Sequence, residues 1–551
     1  MVSHRTFGLA VVWAMLVHTP KLYALIASTR AGGVFAGSIV NIHDHNAYLA
    51  SVQDGMQGNV WRGTLSFTTE PNLPQSLHFL HASLFYRLLG WFYGFTGLPI
   101  NLFYLLTGLI LALLAFGAYR RLFAECLSGG KELRLATACL FVFPGVLWVN
   151  QLLQEWPNAE AHVPAHILYA ELWGLASMNP IVHNVYMPHF VAATVCVALL
   201  GRKLVQCLRG SSADYLLLAG YSLLIAWLLP SLGALWVAVG ACSVGYALVR
   251  WRLALRHGSL ILLSFVPAGF IALWAYQFTF RSEFWAKYIH HAIAMTGIID
   301  FWLLALHLGV FGPLALWGTW TAFRSHSKRD AGAVLASIWL VWLIALSLPG
   351  FTGSPRFMDG AYLAAIVLAS RVMAGWRAAG LGWLNLRFAL VGFVILPGTL
   401  ITYTYPWIGH IFVHFEDRRI NLLSSDLWPI RLSSDEAEAL EWIEEHADAI
   451  DVVVAGPVFG SFVPGFSGAR VYLGHIGRTL DFDRKLIALK QLDVLRRLPG
   501  LYAPDNVLIV DTTREPLTQP AEFRTETGDS FCSMQSFALK DVSVTQYTSC
   551  S

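Results

Sequence analysis

The chain has 551 residues, of which 56% are hydrophobic and only 13% charged, a balance far from that of a water-soluble domain. Its formal net charge is +3, too small for a nucleic-acid-binding surface. Nucleic acid is therefore excluded as a partner, the bilayer is the main solvent, and the lack of a Walker-type loop excludes a P-loop ATPase.

Apolar runs of the roughly 20 residues needed to cross about 30 Å of hydrocarbon recur about eleven times. They are expected at 7–27, 99–119, 135–153, 181–200, 213–229, 231–249, 258–279, 301–322, 331–348, 359–375 and 384–404. The first follows Met1-Val2-Ser3-His4-Arg5 but runs on through Lys21 without a small-residue cleavage site, so it reads as an uncleaved span. The apolar segment 77–97 carries His78, His81 and Arg87 and is read as an interfacial helix inside a first outer loop, 28–98.

Basic residues sort consistently on this layout. Arg5, then Arg120, Arg121, Lys131 and Arg134, then Arg202, Lys203 and Arg209, then Arg250, Arg252 and Arg256, then Arg324, Lys328 and Arg329, then Arg371 and Arg377 fall on one side, which the positive-inside rule makes cytoplasmic. The other side receives the loops 28–98, 154–180, 280–300 and 349–358 and the tail from 405. The expected fold class is an α-helical polytopic membrane protein over 1–404, in the inner (plasma) membrane with a cytoplasmic N-terminus. A linker at 405–430 leads to a small extracytoplasmic α/β domain at 431–551.

In that domain, Ser433-Ser434-Asp435-Glu436 forms a capping-box pattern that starts a helix over 436–448. Strands are expected at 451–455, 470–473 and 506–511, and a helix at 481–497. The glycine-rich stretch 456–468 lacks dinucleotide-loop spacing and reads as a turn-forming loop. The alternative is a lid over a lipid or sugar site, with Arg470, His475 and Arg478 supplying positive charge. Cys532 and Cys550 are the thiols outside the spans, and they either pair or stay free.

The chemistry concentrates on the outer side. His43-Asp44-His45-Asn46-Ala47-Tyr48 places a carboxylate between two imidazoles at the membrane surface, which suits a general base for a hydroxyl. An N-cap for a helix beginning at His45 explains Asp44 equally well. Glu70, in Thr68-Thr69-Glu70-Pro71-Asn72, is the second candidate acid, with a solvated loop position as its plain alternative. In the second outer loop, Glu155, Glu160, His162, His166 and Glu171 leave a divalent metal ion open, although Pro164 interrupts a shared helix face for the two histidines. No cofactor is otherwise implied. His183 and His189, in the polar run 179–189, are expected to line a cavity. Arg356, in Ser354-Pro355-Arg356-Phe357-Met358-Asp359, either clamps a phosphate or pairs with Asp359 as an interfacial anchor.

A first span, a long outer loop opening with an acid, an interfacial helix, a second span ending in Arg120-Arg121 and an outer C-terminal domain together resemble the GT-C superfamily of membrane glycosyltransferases. The motifs at 43–48, 68–71 and 471–475 look closest to large bacterial membrane proteins of this organisation. The resemblance covers the layout of residues 1–404. It implies a sugar donor linked to polyprenyl phosphate and an envelope glycan, lipid or protein as acceptor. Asp44 would match the first-loop acid, transfer would proceed with inversion, and His43, His45, His183, His189 and Arg356 would be substrate contacts. A single Asp between two His stands where the family commonly carries paired acids, which leaves sugar, acceptor and metal use open. A transporter or flippase of lipid-linked precursors is the competing class, although the chain carries no internal repeat of the kind transporters show.

Overall fold

The computed structural model describes residues 4–30, 32–39, 42–61, 67, 82–141, 180–185, 187–211, 214–281, 304–305, 308–348, 355–378, 431–446, 451–475, 479, 481–492, 497–498, 501, 504–513, 515–517, 520, 522–525 and 530–550. In chain order these form α1 (His4–Arg30), β1 (Val34–Phe35), α2 (Ile42–Met56), α3 (Ala82–Tyr93), α4 (Ile100–Cys126) and α5 (Gly130–Cys139). There follow α6 (Pro180–Val185), α7 (Pro188–Arg209), α8 (Tyr215–Leu228), α9 (Pro230–Arg250), α10 (Leu255–Leu263), α11 (Val266–Arg281), α12 (Phe311–Arg324), α13 (Ala331–Leu346) and α14 (Ala361–Ala378). The remainder comprises β2 (Arg431–Leu432), α15 (Ser434–Glu445), β3 (Val452–Ala455), α16 (Pro457–Phe466), α17 (Phe482–Lys490), β4 (Asn506–Thr512), β5 (Glu522–Arg524), β6 (Ser530–Ala538) and β7 (Val542–Ser549).

Six stretches among the described residues are long and apolar enough to cross a membrane: His4–Arg30, Ile100–Cys126, Pro188–Arg209, Pro230–Arg250, Leu255–Gln277 and Lys328–Leu346. Tyr215–Leu228 and Ala361–Trp376 are shorter apolar helices. The protein is thus a predominantly helical integral membrane protein. The span expected at 181–200 begins later, at Pro188, because Met187 is extended and proline takes the first helical position. The expected span 301–322 is represented by α12, 135–153 is described only through 141, and 384–404 lies outside the described residues.

The chain divides into two compact units, one of Met1–Thr19, Thr107–Gly409 and Asn421–Ser424, the other of Pro20–Leu106, His410–Ile420 and Ser425–Ser551. In the first, the membrane unit, basic helix ends gather. Arg209, at the end of α7, bonds Glu125 of α4 (2.8 Å) and the carbonyl of Arg329 (2.8 Å). Arg371 of α14 pairs with Asp330, just before α13. Arg250 of α9 meets His326, just after α12. The ends of α4, α7, α9 and α12 and the start of α13 therefore lie at one end of the bundle.

The second unit joins residues 20–106 to the tail. β1 pairs antiparallel with β2, Val34 opposite Leu432 and Phe35 opposite Arg431. A five-stranded mixed sheet runs in the order β3-β4-β7-β6-β5, with β3 and β4 parallel and the other neighbours antiparallel. Of the expected strands, 470–473 is reduced to one bridge, Val471 to Val453. α15 starts with the capping box Ser433/Glu436 that its sequence announces. Cys532 and Cys550 are joined by a disulfide.

Two segments differ from what their sequence suggests. The glycine-rich segment is mostly the helix α16, not a loop. Pro457 sits in its first turn, the Glu515 carboxylate accepts the N–H groups of Val458 and Phe459 (2.9 and 3.0 Å), and these supply a helix start that the local sequence lacks. Asp44 does not cap a helix starting at His45, because α2 already begins at Ile42 and Asp44 lies in its first turn. The segment expected at 77–97 is described from residue 82, where it forms α3; this helix buries Leu84, Tyr86 and Arg87 and exposes Leu88, Trp91 and Phe92.

Candidate functional site

The site around Asp44 is built from both ends of the chain within the second unit. α2 and α16 lie side by side and run the same way. The Asn46 amide donates to Ser461 Oγ (2.9 Å), the Gln53 amide donates to the Phe466 carbonyl (3.3 Å), and a Cβ on Gly465 would lie 2.8 Å from Leu49 Cβ. Glycine at 465 is what lets the two helices approach so closely.

Beyond α16 the chain returns along β3. Val453 N–H donates to the Arg470 carbonyl and Tyr472 N–H to the Val453 carbonyl, each at 2.8 Å. Gly460 abuts the Leu473 carbonyl, and Thr479 N–H donates to the His475 carbonyl (2.7 Å). This run delivers the His475 ring to Asp44, where Nε2 donates to Oδ1 at 3.0 Å. Phe67 packs edge-on against the ring, 5.8 Å between centroids. His475 is 2% exposed and Asp44 20%, so a partly exposed acid meets a buried imidazole.

His45 is fully buried, its ring 4.4 Å from that of Tyr104, and its Nε2 donates to the Ala36 carbonyl (3.0 Å). Burial pushes its pKa down to about 3; the Lys21 charge adds to this and the bond to Ala36 opposes it. His45 is therefore neutral at physiological pH and sets no cation beside Asp44. Asp54, near the end of α2, is buried facing the buried Arg87 of α3. His43 precedes Asp44 on α2, and Glu70 lies outside the described residues.

His183, His189 and Arg356 belong to the membrane unit. His183 and His189 are almost fully buried. His183 Nε2 lies 3.1 Å from Thr194 Oγ1 and 3.3 Å from the Phe190 carbonyl, and Nδ1 lies 3.9 Å from Asp359. Tyr119 bonds Thr194 (2.9 Å) and receives the Tyr362 hydroxyl (2.9 Å). The result is a buried polar chain linking α4, α6, α7, α14 and the turn before α14. Asp359, the partner considered for Arg356 as the alternative to a phosphate, also faces His183. Arg356 itself is on the 3-10 turn Pro355–Met358. Among the described residues no group of three or more His, Cys, Asp or Glu is arranged for a metal ion, and Glu155 to Glu171 lie outside them.

In the sequence His475 reads only as lid charge. No short-range pattern pairs it with a residue 431 positions away.

No protein-family model and no curated protein matches the chain. Among solved structures it is similar to the oligosaccharyltransferase of Archaeoglobus fulgidus tethered to an acceptor peptide containing the NVT sequon, at 13% identity and a TM-score of 0.44, over 93% of this chain and 69% of that one. The apo form of the same protein gives 13% identity and a TM-score of 0.40 over 92% and 69%. ArnT from Cupriavidus metallidurans bound to undecaprenyl phosphate gives 11% and 0.45 over 97% of each chain.

Proposed function

We propose that this protein is a membrane glycosyltransferase that moves a sugar from a polyprenyl-phosphate donor to an acceptor hydroxyl on the extracytoplasmic face. Asp44 accepts the hydroxyl proton as the acceptor oxygen attacks the anomeric carbon. The bond to the phosphate oxygen breaks on the opposite side, the polyprenyl phosphate leaves with the electron pair, and the configuration inverts. The observation that carries this reading is the Asp44 carboxylate itself, partly exposed and hydrogen-bonded to a buried imidazole at 3.0 Å. A partly exposed carboxylate held by one fixed hydrogen bond is suited to accept a proton from a hydroxyl that reaches it, which supports this reading.

The disulfide between Cys532 and Cys550 supports an oxidising, extracytoplasmic compartment for the tail. The gathered basic helix ends support the cytoplasm as the other side. Glu70 as a second acid and His43, His45, His183, His189 and Arg356 as substrate contacts rest on the sequence resemblance, and single substitutions test each.

The experiment is release of undecaprenyl phosphate by the purified full chain. It uses undecaprenyl-phosphate monosaccharides as donors and total envelope material as acceptor. Asp44→Asn is expected to lose roughly 10²–10⁴-fold in rate, the range for removal of a general base. Full activity in that variant removes Asp44 from the role, and no release from any donor by the unaltered protein removes the donor class.

A further inference from the structure

We infer that His475 is a positioning residue for Asp44, so that the C-terminal segment completes the site of the first outer loop. The inference rests on the transfer reading above.

The imidazole is fixed independently of Asp44. The backbone at 470–472 is tied to β3 by two hydrogen bonds. A Cβ on Gly474 would meet the Gly460 carbonyl at 2.8 Å and the Phe67 ring at 3.0 Å. The next residue is His475, whose carbonyl is held by Thr479 and whose ring lies against Phe67. Asp44, by contrast, sits on a side chain with two rotatable bonds at a fifth of full exposure. A hydrogen bond from the rigid partner to Oδ1 favours one carboxylate orientation. Such a contact acts on the alignment of base and hydroxyl, to which rate is steeply sensitive: a misplacement of about 1 Å costs on the order of 100-fold. With its Nε2 bonded to Asp44 and its side chain buried, His475 is expected to leave donor affinity unchanged.

The test compares His475→Ala, which removes the donor N–H, with His475→Gln, whose side-chain amide can restore it. Both are assayed in the full chain with the undecaprenyl-phosphate donors above, alongside thermal unfolding. Expected is a fall in kcat of roughly 10- to 100-fold for H475A, unchanged KM for the donor, and recovery to within about threefold of the unaltered protein for H475Q. A purely structural tie would lower the melting temperature of both variants without separating their kcat values. Unaltered kcat in H475A overturns the inference, as does a folded H475Q no more active than H475A, or a loss confined to KM. Should H475A fail to fold, H475Q alone decides: folded and active supports the role, folded and inactive overturns it. Asp44→Asn separates the two levels, since full activity there defeats the base reading whatever His475 does.

Discussion

Replacing Gly460 by alanine should dislodge the segment that carries His475. A Cβ at this position would lie 2.1 Å from the Leu473 carbonyl oxygen and 3.2 Å from Val471 Cγ2. The first distance is far inside van der Waals contact and involves backbone, so no side-chain rotation relieves it. Either α16 or the 471–475 run must move by about 1 Å, and overpacking of this kind typically costs about 1–3 kcal/mol. The same displacement is enough to break a 3.0 Å hydrogen bond between His475 and Asp44. Gly117→Ala in α4 is the control, because among the described residues nothing lies within 4 Å of a Cβ at that position and alanine favours a helix by up to about 1 kcal/mol over glycine. Thermal unfolding and donor turnover of the two purified variants are compared. G460A should melt lower and lose turnover, and G117A should match or exceed the parent. Equal melting and turnover in both variants would refute the reasoning about close packing under His475.

Acid should weaken the second unit through His45. Its folded-state pKa is held at about 3 against an ordinary 6.5, so its stabilising contribution is complete above pH 6.5 and is lost as pH falls towards 3, at up to about 1.4 kcal/mol per pH unit; His45→Gln should narrow the gap between melting temperatures at pH 7 and 4.5, and an unchanged gap would remove His45 as the cause. Arg87→Met removes the cation that the buried Asp54 carboxylate faces and should cost about 3–5 kcal/mol, with Arg87→Met/Asp54→Leu recovering part of it in a denaturation series. Cys532 and Cys550 should resist maleimide labelling until reduced, and Cys532→Ser should cost about 3 kcal/mol by the loop-entropy estimate for 18 residues; labelling without reductant would contradict the pairing.

Long-period apolar signals are legible because lipid exposure demands them over a whole helix. Pro230–Arg250 and Ile100–Cys126 fall almost where hydropathy alone puts them. The capping box at Ser433 and Glu436 is equally plain, being a local hydrogen-bond exchange between residues three apart. What escapes the sequence is local structure imposed from a distance. α16 contains Gly460, Pro464 and Gly465, each unfavourable in a helix interior, and is stabilised by Glu515 across 57 positions and by close docking on α2. Composition cannot report such partners. The same holds for Asp44: its place soon after the first apolar run can be read, but its bond to His475 cannot.

Asn46 to Ser461, Gln53 to Phe466 and Asp44 to His475 span 415, 413 and 431 positions, and every intervening membrane crossing is made before the second partner is synthesised. Until then α2 presents Asn46, Leu49 and Gln53 without α16, and the carboxylate of Asp44 lacks the imidazole that orients it. On the proposed reading of Asp44 as the base, the site is complete only once the 457–475 segment has docked on α2, which would couple transfer to the folding of the tail.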